Sequence, residues 1–321
     1  MPGHIFITGA SGRIASHLIP RLIQDGNTVI GLARTKAKAA KVEAMGARCV
    51  VGDLQTAHVI EKCLDGAQTL FHLAGGMRGP GQDTPDRINR LGTLALIDRL
   101  KEGPQLDSVV FTSSGAVYGD RSGLWVDDDM PAHPHTRYGR SKLSAEQAML
   151  EAASQGIPVR VVRLAAVYGP GFPFMLEELI RSGRAWLPGE GRNYIHTIHI
   201  DDAVEGLIRI AEPSAIHDRY NLADLEPATV ADFYRAVADA VGGTPPKHWS
   251  TWVPSYVQFS AARLNERIQS KLPMRPRFTP DAIRLMTASV RLKTDRLEQE
   301  RGMVWKHPKA IEGVVAALLK G

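Results

Sequence analysis

Cysteine is scarce in this sequence, which has only Cys49 and Cys63 among its 321 residues. Two cysteines do not make the disulfide framework of a secreted domain, and we expect both to be reduced thiols. No apolar run approaches the ~20 residues that a bilayer span needs. The first residues are typical of a strand rather than of a signal peptide. These absences predict a soluble, cytoplasmic protein with no membrane partner.

Dense clusters of basic residues are also missing. The 39 lysines and arginines exceed the 34 acidic residues by a formal charge of +5, but they are spread along the chain without interleaved aromatic residues. We therefore expect no nucleic-acid partner, and either an anionic small ligand or a solvated basic surface accounts for the excess.

Strands and helices alternate through the first half of the chain, beginning with an apolar strand predicted at His4–Thr8. With near-continuous Val, Ile and Leu in the strands, this alternation predicts an α/β protein with a doubly wound parallel sheet. Proline and glycine become frequent after Gly169. We expect one domain over 1–168, to which a segment near 192–222 returns, and a smaller domain over 169–321.

A glycine turn, Thr8-Gly9-Ala10-Ser11-Gly12, joins the first predicted strand to the first predicted helix. Gly9 permits the tight turn, and Gly12 leaves room for the backbone to approach a pyrophosphate at the helix N-terminus. The alternative is an ordinary strand-to-helix turn. Its place between the first strand and the first helix favours a dinucleotide site.

The end of the second predicted strand bears on the choice between NAD and NADP. No acidic residue occurs in Gly31-Leu32-Ala33-Arg34-Thr35-Lys36. A carboxylate there would hold the ribose 2′-hydroxyl of NAD, whereas the guanidinium of Arg34 can pair with a 2′-phosphate. The sequence therefore favours NADP over NAD, unless Arg34 is only a solvated loop residue. Further candidates follow the third and fourth strands: Asp53, Leu54, Leu73, Ala74 and Gly75.

A second group of residues has the chemistry of proton transfer. Of the seven tyrosines, only Tyr138 is followed four residues later by a lysine, Lys142, on the same face of a helix. A free phenol titrates near pH 10, and a neighbouring ammonium favours its phenolate. Ser114, at the end of the fifth predicted strand, would orient a substrate oxygen while a hydride is transferred. The alternative is a surface Tyr–Lys pair without chemistry.

With these motifs in order, the chain resembles the extended short-chain dehydrogenases/reductases of the NAD-dependent epimerase/dehydratase group over nearly its whole length. The resemblance implies a Rossmann domain that binds a nicotinamide dinucleotide, a smaller C-terminal substrate-binding cap and often a homodimer. It implies that Ser114, Tyr138 and Lys142 are catalytic. The cofactor-site residues would be Gly9, Ser11, Gly12, Arg13, Ile14, Arg34, Asp53, Leu54, Leu73, Ala74, Gly75, Asn89, Tyr138, Lys142, Ala165 and Val167.

Departures from the family pattern reduce the number of reactions that we expect this chain to catalyse. Gly115-Ala116 stands where sugar-nucleotide dehydratases have an Asp-Glu pair, so we do not expect dehydration by that route. Ala166 replaces an Asn common in nucleotide-sugar 4-epimerases. Arg192 lies in a displaced version of a family run, and it either grips a diphosphate or faces water.

We expect no metal, because His196 and His199 would point to opposite faces of a strand and the loop residues His133 and His135 have no further ligands at a known spacing. The run Asp127-Asp128-Asp129 is interpreted as a solvated acidic turn.

The sequence thus predicts an NAD(P)-dependent epimerase or ketoreductase that acts on a hydroxyl or ketone carbon of a sugar or nucleotide-sugar. Alternatives are an NADPH-dependent reductase of a non-sugar ketone and a non-catalytic dinucleotide sensor. The segment 243–280 has no clear pattern. Several aromatic residues either line a substrate pocket or fill the core: Phe172, Phe174, Trp186, Trp249 and Trp252.

Overall fold

The computed structural model describes residues 3–77, 85–172, 177–213, 217–249, 257, 260–265 and 279–319. Phe174, Trp252, the side chain of Trp249 and most of the segment 243–280 lie outside the described residues. Among the residues described, no helix is long and apolar enough to cross a membrane.

The strands are β1 His4–Thr8, β2 Thr28–Ala33, β3 Arg48–Val51, β4 Thr69–His72, β5 Ser108–Ser114, β6 Trp125–Val126, β7 Val159–Leu164, β8 Ala166–Tyr168, β9 Trp186–Pro188, β10 Tyr194–Ile195, β11 Thr197–His199, β12 Arg219–Leu222, β13 Ala228–Thr229, β14 Lys247–Trp249 and β15 Arg291–Leu292. The helices are α1 Ala15–Gln24, α2 Lys36–Glu43, α3 Ala57–Leu64, α4 Gly92–Glu102, α5 Arg137–Ser154, α6 Glu177–Arg181, α7 Ile200–Ala211, α8 Val230–Val241, α9 Pro280–Thr287, α10 Asp295–Arg301 and α11 Ala310–Leu319.

Seven strands form one parallel sheet in the order β12-β7-β5-β4-β1-β2-β3. The chain runs from β1 outward to β3 and then crosses to β4 on the other side of β1, so the strand order reverses between β1 and β4. Ligands of open α/β sheets bind at such a reversal, beyond the carboxyl ends of the strands. The predicted doubly wound α/β fold is confirmed.

Both faces of the sheet are covered because successive residues of each strand point to opposite sides. In β1, Ile5 and Ile7 belong to the same hydrophobic cluster as Leu18 of α1, whereas Phe6 belongs to the cluster that contains Met149 of α5. A third hydrophobic cluster joins α6, α8 and α11, outside the sheet. Strand β12 returns to the edge of the sheet. The proposed domain boundary at residue 168 stays a prediction.

Candidate active site

A groove of about 260 Å³ opens at the carboxyl ends of the strands on both sides of the reversal. It brings together nine of the residues predicted for a cofactor: Gly9, Ser11, Gly12, Arg34, Asp53, Leu54, Leu73, Ala74 and Gly75. Residues far apart in the chain therefore meet because their strands end at one edge of the sheet.

The glycine turn brings bare backbone to the groove. Gly9 adopts a left-handed φ of 68°, and a β-carbon there would stand 2.8 Å from the backbone nitrogen of Ala74. The Gly12 N–H donates to the Gly9 carbonyl at 2.8 Å, which closes the turn directly before α1. Since both glycines lack a side chain, the floor of the groove fits a phosphate group held by backbone N–H donors.

Basic and acidic side chains stand at separate places on the rim of the groove. Arg34 follows β2 directly and Lys38 lies one helical turn further on; both are exposed. The carboxylate of Asp53 accepts from the Gln55 N–H at 3.0 Å. Sequence reasoning missed Lys38, which lies in the first turn of α2.

A π-helical turn, Asp86–Leu91, positions Asn89 beside the groove. The buried Asn89 amide accepts from the Gly76 N–H at 2.9 Å and donates to the Gly76 carbonyl at 3.1 Å and to the Ser141 hydroxyl at 2.9 Å. This side chain joins the turn after β4 to helix α5. The neighbours Arg87, Ile88 and Gly92 also line the groove, which the sequence did not predict.

Ser114 and Tyr138 meet where the end of strand β5 lies against the start of helix α5. Strand β5 ends at Ser114, and α5 begins at Arg137 with the Thr136 hydroxyl accepting from the Gly139 N–H at 3.0 Å. Burial raises the pKa of Tyr138, and a hydrogen bond between the Ser114 and Tyr138 side chains opposes that rise. The phenol is therefore a proton donor unless a further positive charge stabilises its anion.

Lys142 supplies a buried cation one turn after Tyr138. Its ammonium donates to the Thr112 carbonyl at 2.7 Å and stands 2.8 Å from the position of a β-carbon on Gly75. Burial lowers the pKa of Lys142 to about 8, and the charge of Glu146 opposes that shift. Gly75 thus brings the groove directly against the Lys142 ammonium.

Seven predicted cofactor residues are not among those that line the groove: Arg13, Ile14, Asn89, Tyr138, Lys142, Ala165 and Val167. The exposed guanidinium of Arg13 lies 5.9 Å from the centre of the Phe172 ring. The Ala165 N–H donates to the Leu222 carbonyl at 3.0 Å, and Val167 pairs with β11. Their assignment to the cofactor stays a prediction.

The interpretation of the acidic run as solvated holds for the exposed Asp127 and Asp129 but was wrong for Asp128. Asp128 is buried, and its carboxylate accepts from the Asn221 N–H and lies 3.8 Å from the Arg296 guanidinium. Burial raises the pKa of Asp128 to about 6. This side chain joins the loop after β6 to the sheet edge and α10.

The structure shows the surroundings of Arg192 and of His199, two residues that the sequence analysis considered as ligand-binding candidates. The Arg192 side chain is 86% exposed and pairs with Glu190 at 2.8 Å, so it faces water. His199 accepts from the Asp201 N–H at 3.2 Å as the cap of α7. Possible metal-ligand atoms of His199, Asp201 and His307 lie within 4.8 Å of one another, a grouping that the sequence did not predict.

Comparisons with known proteins agree with this architecture. A 4-hydroxy-2-methyl-3-oxo-4-farnesyl-3,4-dihydroquinoline-1-oxide ketoreductase from Stigmatella aurantiaca is 29% identical, over 92% of this chain and 90% of its own. UDP-glucose 4-epimerase from Mycolicibacterium smegmatis is 24% identical, over 83% of this chain and 88% of its own. The solved structure of MoeE5 in complex with UDP-glucose and NAD aligns with a TM-score of 0.75 at 24% identity, covering 99% of this chain and 98% of that one.

Fold and relatives together define an enzyme of the NAD(P)-dependent oxidoreductase or epimerase class, built on a Rossmann-like sheet. Residues 5–223 match the model of the NAD dependent epimerase/dehydratase family. The chain belongs to that family, as its sequence motifs predicted.

Proposed function

We propose that this enzyme is an NAD(P)H-dependent ketoreductase whose catalytic residues are Ser114, Tyr138 and Lys142. The observation that carries the proposal is the hydrogen bond between Ser114 and Tyr138, together with the Lys142 ammonium buried beside Gly75, which lines the groove. A proton donor, an oxygen-binding hydroxyl and a cation are the groups that carbonyl reduction needs.

When bound, a dihydronicotinamide would supply the hydride. As the carbonyl carbon accepts it, the Tyr138 hydroxyl donates its proton to the carbonyl oxygen, and the Ser114 hydroxyl donates a hydrogen bond to the same oxygen. The Lys142 ammonium stabilises the phenolate that forms, which then takes a proton from water. The products are the secondary alcohol and the oxidised dinucleotide.

A ketone without a nucleotide diphosphate fits the described residues better than a nucleotide-sugar. Arg192, the family-like candidate for gripping a diphosphate, faces water and pairs with Glu190. Beside Ser114, a β-carbon on Gly115 would stand 3.2 Å from the buried, apolar Leu292. The relative from Stigmatella aurantiaca is likewise a ketoreductase.

NADPH is the proposed reductant. Arg34 and Lys38 stand on the rim of the groove, where strand β2 ends without an acidic residue. Two cations favour a 2′-phosphate, which a carboxylate at that place would repel. Since MoeE5 is described with NAD, this choice depends on the charges of this chain alone.

Epimerisation is the second candidate, because UDP-glucose 4-epimerase from Mycolicibacterium smegmatis is also a relative. A redox-neutral epimerase keeps its dinucleotide, whereas a reductase exchanges it. Denaturing the freshly purified protein and identifying the released dinucleotide by mass separates the two. We expect little retained dinucleotide and oxidation of added NADPH by ketones. A stoichiometric, tightly held NAD⁺ with no net oxidation of added NADPH would contradict the ketoreductase.

A further inference from the structure

A buried ion pair lies directly beneath the proposed catalytic residues. Glu146 follows Lys142 by one turn of α5, and its carboxylate binds the Arg163 guanidinium through contacts of 2.6 and 3.1 Å. The Ser113 hydroxyl donates to the same carboxylate at 2.6 Å. Glu146 is 1% exposed and Arg163 is 2% exposed.

Each of the last three residues of β5 forms a hydrogen bond with a side chain on one face of α5. The Thr112 carbonyl accepts from Lys142, the Ser113 hydroxyl donates to Glu146, and the Ser114 side chain bonds Tyr138. Positions 138, 142 and 146 are spaced by four residues, so they form one row along the helix. Glu146 is the deepest member of this row.

Further hydrogen bonds hold the Arg163 guanidinium on its side away from Ser113. Its second guanidinium nitrogen donates to the Tyr118 hydroxyl at 2.8 Å and to the Asp128 carbonyl at 3.1 Å. The Tyr118 hydroxyl in turn donates to the Asn221 side chain at 2.8 Å. Because the guanidinium cannot follow a moving carboxylate, the position of Glu146 is fixed by the sheet.

We propose that Glu146 is a positioning residue, whose carboxylate, held by Arg163 and Ser113, keeps Lys142 a cation beside Gly75 and keeps the end of β5 in register with Tyr138. This proposal rests on the proposed function only in treating Lys142 as a catalytic residue. The effect of Glu146 on the charge of Lys142 does not depend on which reaction the enzyme catalyses.

The charges around Lys142 decide whether the loss of the Glu146 charge raises or lowers the pKa of Lys142. Tyr138 and Glu146 flank it on α5, His72 faces it from β4, and Arg163 lies beyond Glu146. Burial lowers the pKa of His72 to about 3, so that imidazole is neutral at pH 7. Among these described groups Glu146 is the anion. Replacing its charge leaves the Arg163 cation uncompensated, and both changes disfavour the Lys142 ammonium.

Glu146→Gln tests this directly, because glutamine keeps the shape and an oxygen acceptor but not the charge. The ε-carbon resonance of Lys142 is followed by NMR in ¹³C-lysine-labelled protein, and it is assigned by its loss in Lys142→Met. We expect the titration midpoint of Lys142 to fall by about one pH unit or more. Glu151→Gln, an exposed change on the same helix, should leave it unchanged.

A merely structural role predicts the opposite sign. If the substitution only loosened the site, entering water would raise the midpoint towards the ordinary 10.5. An unchanged or raised midpoint therefore overturns the proposal. If Glu146→Gln does not fold, Arg163→Gln is measured instead; there the midpoint should rise while near-ultraviolet circular dichroism stays native, and a constant or lower midpoint overturns the proposal.

The NMR result also separates this proposal from the ketoreductase. A lowered midpoint supports the role of Glu146 even if no ketone is reduced. Where reduction is measurable, Glu146→Gln should lower kcat about tenfold or more with little change in the KM for NADPH.

Discussion

Gly9 and Ala74 approach so closely that a β-carbon on Gly9 would stand 2.8 Å from the backbone nitrogen of Ala74. The contact holds the glycine turn against the end of β4, where the Ala74 N–H also donates to the Thr8 hydroxyl at 3.2 Å. Two backbone segments that line the groove are thus packed directly on each other. Any side chain at position 9 must push them apart.

We therefore predict that Gly9→Ala abolishes dinucleotide binding. Its matched control is Gly66→Ala, because Gly66 has a similar φ of 71° but no atom within 4 Å of the added carbon. Both variants carry backbone strain of roughly 1–2 kcal/mol, and only Gly9→Ala adds the clash. Calorimetric titration with NADPH and NADH checks this, and equal affinities of the two variants would refute it.

Tyr138→Phe should lower kcat by about 10²–10⁴-fold, since it removes the proposed proton donor. Dinucleotide affinity should change little. Tyr234→Phe is the control, because that buried hydroxyl belongs to the cluster around α8, outside the sheet. Initial rates of ketone reduction and fluorescence titration with NADPH measure both quantities. A Tyr138→Phe enzyme with full turnover would exclude Tyr138 as the acid.

Arg34→Asp should weaken NADPH binding far more than NADH binding. Charge-assisted hydrogen bonds contribute about 1.5–3 kcal/mol, which corresponds to roughly 10- to 100-fold in the dissociation constant. Lys36→Asp makes the same change of charge at a position that does not line the groove and should discriminate little. Equal losses for both dinucleotides in Arg34→Asp would refute the NADP preference.

Asp224 should make the protein less stable as the pH rises. Its carboxylate is buried beside Thr197 and His199, and burial raises its pKa from 3.8 to about 7. The folded state thus binds a proton that the unfolded state releases, so the free energy of unfolding falls between about pH 4 and pH 7, by about 1.4 kcal/mol per pH unit.

Asp224→Asn should remove the part of the slope that Asp224 contributes and leave the part due to Asp128, whose pKa burial raises to about 6, while the exposed change Asp65→Asn should keep the whole slope. Urea unfolding of the three proteins at pH 5 and pH 7 gives the comparison, with an expected contribution of Asp224 of about 2 kcal/mol between the two pH values in the unmodified protein. The same difference in Asp224→Asn would show that another group is responsible.

Much of the fold is predictable from the sequence because the sheet strands are short apolar runs between turn residues. The predicted bounds of β1, His4–Thr8, match those of the structure. The helix face predicted to carry Tyr138 and Lys142 belongs to α5, which begins at Arg137. Its first turn has no apolar periodicity, and the hydroxyl of Thr136 starts it by capping.

The ion pair of Glu146 with Arg163 and the burial of Asp128 were beyond sequence reasoning. Each depends on residues that come together only through the order of the strands. An acidic run is usually solvated, yet Asp128 is enclosed by Asn221 and Arg296 from later parts of the chain. The residues of the groove were easier to predict from the sequence, because residues at the carboxyl ends of the strands of a parallel sheet must lie at one edge.

Transfer of deuterium from [4-²H]NADPH to a ketone tests hydride transfer at the Ser114–Tyr138–Lys142 site most directly. The protein is incubated with both stereoisomers of the labelled dinucleotide and with a panel of apolar and sugar ketones, and the products are analysed by mass spectrometry. We predict an alcohol with one deuterium on the former carbonyl carbon, an equal amount of NADP⁺, and neither product with Tyr138→Phe. Products without deuterium, or undiminished transfer by Tyr138→Phe, would contradict the proposed reaction.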